Sequence, residues 1–258
     1  MSRSLKTNAS TPPRAVLATA LAMAKQQHLS TWRGFEAAYL NAMQTFDTYV
    51  VQGQVRAGDL RNGKGDAFND FLVTLLQNCS GKLLHARPDV PGLSFPRHKL
   101  DIAYPDAPAP VELIVETKVS GTPIHSGNNS SQRHPEGRAG SADTEKRVKE
   151  ASLKNIDIKA EAARIAGRGG GPTSDLGSWM RSARPRCYLL MAVRVRDAAD
   201  LAKTIQLANV AAQWFDRCGV FCFGWDDAHT SYESKPVPPH LELDRVLAEI
   251  CAALRNLP

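Results

Sequence analysis

Short apolar runs interrupted by charged side chains mark two strands near the middle of the chain. Residues 100–105 read LDIAYP and residues 111–119 read VELIVETKV. Successive side chains of a strand point to opposite faces, so Glu116 and Lys118 share one face while Leu113, Val115, Thr117 and Val119 share the other. The apolar face can pack, and the charged face is expected to stay out of the core. Between them, residues 105–110 hold three prolines, a composition that reverses the chain in a hairpin-like loop. Reversal there sets Asp101 across from roughly Glu116, and directly opposed residues of an antiparallel pair carry their Cβ atoms about 4.5 to 5.5 Å apart on one face.

Helical periodicity dominates before and after this pair. Residues 13–28 and 31–47 are predicted as helices, and residues 48–65 combine the apolar run 49–51 with a Gly-rich loop. Asp66 reads as the N-cap of a helix reaching about Cys79, whose face Phe68, Phe71, Leu72, Leu75, Leu76 and Cys79 recurs at spacings of three and four. Residues 120–150 are almost devoid of large apolar side chains and cannot build a core. A helix over about 143–166 follows, closed by the glycines of 167–171. Then come a buried strand at 186–195, a helix at 197–216, a strand at 219–225 and a last helix at 241–254. Helix and strand alternate in this second half, a pattern of the α/β class.

Composition narrows the picture. The chain has 258 residues, 43% of them apolar, enough for a sizeable core, and no stretch is apolar for the length of a membrane span. Its net charge of +6 favours a polyanionic partner. Arg3, Lys6 and Arg14 precede an Ala-rich run, which reads as a helix entered at Pro12 and Pro13 rather than a secretory leader, and the protein is expected to be cytoplasmic. The five cysteines are an odd number in a chain too large to need staples, and they read as reduced and buried. Cys218 and Cys222 with His229 have the look of a zinc set, but 219–224 reads as a buried strand in which a small cysteine is ordinary.

Chemistry concentrates on the strand pair. Two carboxylates and an ammonium in one small volume need a cation to neutralise them, and a hard divalent ion with oxygen ligands, Mg²⁺ above all, is the natural choice. Lys118 would stand beside it, where an amine can orient or help deprotonate an attacking water and stabilise charge on a phosphate. A competing motif, residues 58–64 (GDLRNGK), fits the first seven positions of a phosphate-binding P-loop but fails at the eighth, where Gly65 has no hydroxyl, so it reads as a flexible turn.

Asp101, a gap of fourteen residues, and then Glu116, Thr117 and Lys118 resemble the active-site motif of the PD-(D/E)xK nuclease superfamily, the fold of many type II restriction endonucleases. Leu100 stands where the named motif has proline. A literal Pro-Asp pair occurs at Pro105 and Asp106, so Asp106 is the reserve candidate, less favoured because it falls at the loop tip. The resemblance implies an α/β fold with a central mixed sheet flanked by helices. It implies Mg²⁺ held by Asp101, Glu116 and the carbonyl of Thr117, with Lys118 as the catalytic lysine, and hydrolysis of double-stranded DNA to 5′-phosphate and 3′-hydroxyl ends. It implies a homodimer, since two copies of one site cut both strands of a palindrome, with a separately encoded cognate DNA methyltransferase.

On this reading residues 1–12 are a polar tail and 13–258 a single nuclease domain. Residues 13–65 are its N-terminal helical part, 66–225 its catalytic core, and 226–258 its C-terminal helix. The segment 120–150 leaves the site directly and is expected to engage DNA, with Arg133, Arg138, Lys146 and Arg147 as candidate contacts. Asp66, Asp70 and Glu36 are outside candidates for an extra acid, which this superfamily sometimes supplies from an early helix.

Overall fold

In the computed structural model the described residues are 12–52, 57–105, 111–122, 138–167 and 185–258. Three helices lead: α1 (Pro12–Gln26), α2 (Trp32–Val51) and α3 (Ala57–Ser80). Short strands β1 (His85–Ala86), β2 (Asp89–Val90), β3 (His98–Lys99) and β4 (Ile102–Tyr104) precede the long β5 (Leu113–Ser120). Helix α4 (Gly140–Gly167), β6 (Arg186–Arg194), α5 (Ala198–Ala211), β7 (Arg217–Trp225), β8 (Tyr232–Lys235) and α6 (Leu243–Asn256) complete the chain.

The central sheet has six strands in the order β1-β4-β5-β6-β7-β8. It is mixed: β5 pairs antiparallel with β4 and parallel with β6, and β6 pairs parallel with β7. Alternation along the three long strands builds two cores. Leu113, Val115, Leu190, Ala192, Phe221 and Phe223 face α1, α2, α3 and α6. Ile114, Leu189, Met191, Val193, Val220 and Cys222 face α4 and α5. A sheet buried on both faces suits a parallel centre, because crossover helices cover it. Helix α2 begins at Thr31, whose hydroxyl accepts from the Gly34 amide, and α5 at Asp197, whose carboxylate accepts from the Asp200 amide.

The structure revises several sequence expectations. Asp66 is not an N-cap, because α3 starts at Ala57 and includes the whole stretch read as a Gly-rich turn. Gly63 serves packing, since a Cβ there would stand 3.2 Å from the Phe46 ring, and Lys64 is buried against Asp47. The apolar run 49–51 finishes α2, which extends beyond the expected end at about 47. Helix α4 starts at Gly140, just before the expected start at about 143, so Lys146 and Arg147, placed by the sequence in both the 120–150 segment and the 143–166 helix, stand on the helix. Strand β8 falls in a polar stretch, YESK, that has no apolar run to mark it.

The cysteines divide. Cys187, Cys218 and Cys222 are free and buried, as expected of core residues. Cys79 and Cys251 instead form a disulfide joining α3 to α6, with Cα atoms 5.9 Å apart. An odd total hides one pair whose members meet only when two helices distant in sequence pack together. Among the described residues no helix is long and apolar enough to cross a membrane.

Candidate active site

The β4–β5 register sets the site. Ile102 pairs with Val115, Ala103 with Ile114 and Tyr104 with Leu113, so one further step puts Asp101 across from Glu116. Asp101 itself lies in the bend just before β4, not inside a strand. Its carboxylate accepts from the Thr117 amide at 2.7 Å and the Thr117 hydroxyl at 3.1 Å, while its carbonyl accepts from the Arg87 amide at 2.9 Å. Because β4 begins only at Ile102, the C-terminal half of β5 has no neighbour strand on that side among the described residues.

Glu116 is 5% exposed, contrary to the expectation that the charged face stays out of the core. Helix α4 lies over it. Lys154 of α4 donates to Glu116 Oε2 at 2.6 Å, and its ammonium also meets the Lys99 carbonyl. Lys118 donates to Glu116 Oε1 and, at 3.0 Å, to the Thr117 carbonyl, with Asp101 Oδ2 3.8 Å away. Two carboxylates are thus balanced by two ammoniums. The mutual repulsion that argued for a divalent ion is already relieved by Lys154, so a metal is not needed here as a structural counter-charge.

The oxygens nevertheless fit one. Thr117 O, Glu116 Oε1 and Asp101 Oδ2 converge on the Lys118 ammonium, a cation in the volume where three hard donors meet. These are the atoms assigned from sequence to Mg²⁺. Among the described residues no group of three or more His, Cys, Asp or Glu side chains gathers at a metal-binding spacing, so a metal bound here would rest on two carboxylates and a backbone carbonyl.

A cleft opens at this point between α3 and α4. Asp66 and Asn69 of α3, Arg87, Asp101, Lys118 and Arg147 of α4 line it. Asn69 is 3% exposed, and neither atom of its carboxamide has a partner among the described residues. A buried amide left open beside a concavity has unspent hydrogen-bonding capacity for a ligand. Asp66 faces the cleft but is paired with Arg87 at 2.6 Å. Asp70 is held above the usual carboxylate range by burial, aided by Asp66 and opposed by Arg87. Glu36 lies elsewhere, in a separate depression with Trp32 and Phe221.

The arm of β2 and β3 is tied to α4 through Asp157, which accepts from the Ser94 and Phe95 amides and pairs with His98 at 2.7 Å. Burial alone would raise the Asp157 pKa; the hydrogen bonds from His98 and these amides outweigh it and hold it at about 2. This anchor keeps the Lys99 carbonyl beneath Lys154.

Of the proposed DNA contacts, Arg138, Lys146 and Arg147 gather along one concavity that continues from the cleft past Val119 and Gly121. Arg133 and the reserve acid Asp106 lie outside the described residues. Sequence reasoning missed Lys154 and Asn69. For Lys154 a signal existed: it stands three residues after Ala151 and four before Ile158, both buried, which turns it toward the sheet. Compared with known proteins, the chain matches no family model, no curated protein sequence and no solved structure.

Proposed function

We propose that the protein is a Mg²⁺-dependent, site-specific endonuclease of double-stranded DNA, of the type II restriction class, built on a restriction-endonuclease-like core. The observation that carries this reading is the convergence of Asp101, Glu116 and the Thr117 carbonyl on the Lys118 ammonium at the mouth of a cleft. The order of elements supports it too: an early helix, an antiparallel pair bearing the acids, a crossover helix and a parallel strand. Arginine and lysine side chains beside the same cleft supply cations for a phosphate backbone.

Asp101, Glu116 and the Thr117 carbonyl would hold the ion. When bound, Mg²⁺ supplies Lewis-acid stabilisation of the charge that builds on the phosphate. Thr117 fixes Asp101 through two hydrogen bonds, so that carboxylate is oriented before substrate arrives. Lys118 carries the mobile proton donors of the site and orients the water that attacks in line, leaving a 5′-phosphate and a 3′-hydroxyl. Lys154 is a positioning residue: it holds Glu116 Oε2 and leaves Oε1 directed at the reacting centre.

Incubation with unmethylated bacteriophage DNA, in Mg²⁺ or in excess chelator, tests the reading. Discrete fragments that need Mg²⁺ and vanish in Lys118→Ala and Asp101→Ala are the expected result. A smear would favour a repair or junction-resolving nuclease, and intact DNA under all conditions would favour a DNA-binding protein without catalysis.

A further inference from the structure

The concavity beyond Val119 is lined by four cationic side chains, Lys64, Arg138, Lys146 and Arg147, and by one acid, Asp143. Surface carboxylates offset part of that charge: Arg138 lies 3.1 Å from Asp143, and Lys146 and Arg147 lie 3.7 and 3.4 Å from Glu150. Exposed pairs of this kind are weak and exchange partners readily. Lys64 is different, because it is only 3% exposed. Behind it stands a buried cluster in which one carboxylate, Asp47, serves two cations, Lys64 and Arg194. Lys64 thus brings a buried ion cluster to the base of the concavity, where water screens little. Burial lowers the Lys64 pKa, and an anion at the base would oppose that shift.

The backbone shapes the remaining wall. Gly121 has φ +88°, and a Cβ there would come within 2.5 Å of the Arg194 carbonyl, so β5 can turn out at this place only with glycine. The first amides of α4 are not the attraction, since the Asp200 carboxylate already accepts from Gly140 and Ser141, each at 2.8 Å. Side-chain cations make this site. Val119 and Arg147 border both this concavity and the catalytic cleft. Gly121 follows Lys118 by three residues along the strand, roughly 10 Å.

We propose that this concavity binds a second phosphate group of the same nucleic acid, holding the strand while Asp101, Glu116 and Lys118 engage the scissile phosphate. The inference rests on the nuclease reading for its ligand, but its test does not need cleavage. Two sources share the chemistry: a backbone phosphodiester a few nucleotides from the cut, or a terminal phosphomonoester.

Phosphorus NMR or calorimetry with inorganic phosphate, without DNA or metal, reads the pocket directly. The parent and Lys118→Ala should bind phosphate alike, and the double variant Arg138→Gln/Lys146→Gln should lose at least about tenfold in affinity. Both substituted residues are partly exposed, so the variant should fold. With a DNA duplex, neutralising one phosphate at a time by methylphosphonate should reveal one sensitive position beyond the scissile one, and the double variant should be indifferent to it. The slope of log affinity against log salt should fall by about 0.9 in that variant, the equivalent of one phosphate contact. Sensitivity to an internal position identifies the diester, and dependence on a phosphorylated end identifies the monoester. No phosphate uptake by the parent, or uptake lost in Lys118→Ala and kept in the double variant, overturns the proposal. Phosphate binding as expected in a protein that cuts no DNA would instead count against the nuclease reading.

Discussion

Two clusters of carboxylates and cations lie in this molecule, and they differ in access rather than in composition. Asp47, Lys64 and Arg194 have side chains 1%, 4% and 3% exposed. Tyr232 closes that cluster by donating to Asp47 at 2.6 Å and accepting from Arg194 at 2.8 Å. In the second cluster the side chains of Asp101, Lys118 and Lys154 are 30%, 16% and 18% exposed, and that of Glu116 7%. A fully enclosed ion cluster costs desolvation and must hold each partner fixed, so it specifies how α2, α3, β6 and β8 meet. One open on a single side can exchange an internal partner for a ligand. The comparison teaches that enclosed charges act as scaffold, meeting a ligand only at the edge where Lys64 lines the neighbouring concavity, whereas reacting groups need their own path to solvent.

The largest effect that would sharpen this contrast is on activity. Lys118→Ala should reduce DNA cleavage by roughly 10²- to 10⁴-fold while costing less unfolding free energy than Asp47→Ala, because Lys154 still pairs with Glu116, measured by gel assay and by urea titration. Equal losses in both measurements would erase the distinction between the clusters.

Asp47→Ala should show the reverse. Leaving Lys64 and Arg194 buried without their carboxylate should cost about 3 to 5 kcal/mol of stability, with cleavage by the remaining folded fraction at saturating DNA falling far less than in Lys118→Ala. Tyr232→Phe removes one donor to Asp47 and should cost about 1 to 3 kcal/mol.

The same tyrosine gives a pH signature. Burial, with Asp47 beside it, raises the Tyr232 pKa above its ordinary 10.0. The folded state keeps a proton that the unfolded chain releases, so this contribution to stability is complete below pH 10.0 and is lost as pH rises further. Alkaline unfolding tracked with tyrosinate absorbance should therefore begin above that pH, and in Tyr232→Phe its onset should move.

Lys154→Met should have the smallest effect, about tenfold on cleavage. It also carries a sign that a purely structural role lacks. Removing a positive charge beside Glu116 should lower the Mg²⁺ concentration needed for half-maximal cleavage even as the rate falls, and Lys154→Arg should restore both. An unchanged Mg²⁺ dependence would remove Lys154 from the site.

Much of this was legible in the chain. Alternation in residues 111–119 fixes which side chains share a face of β5, and the Pro-rich reversal fixes the partner of Glu116, so the Asp101, Glu116, Thr117 and Lys118 grouping follows from local geometry and a short loop. The aromatic and leucine face of α3 was equally plain, because burial periodicity survives whatever packs against it. Local composition misled where packing overrode it: glycines at 58, 63 and 65 read as a turn, yet a helix there brings Gly63 against Phe46 and Lys64 against Asp47. Only the tertiary structure decided that Lys154 reaches Glu116 across 38 residues, that Cys79 meets Cys251 across 172, and that Asn69 comes to the cleft with no partner among the described residues. The reason is physical. A strand or hairpin is set by neighbours a few residues away, whereas contacts between helices and sheet depend on how whole layers dock, and no periodicity within one segment encodes its partner in another.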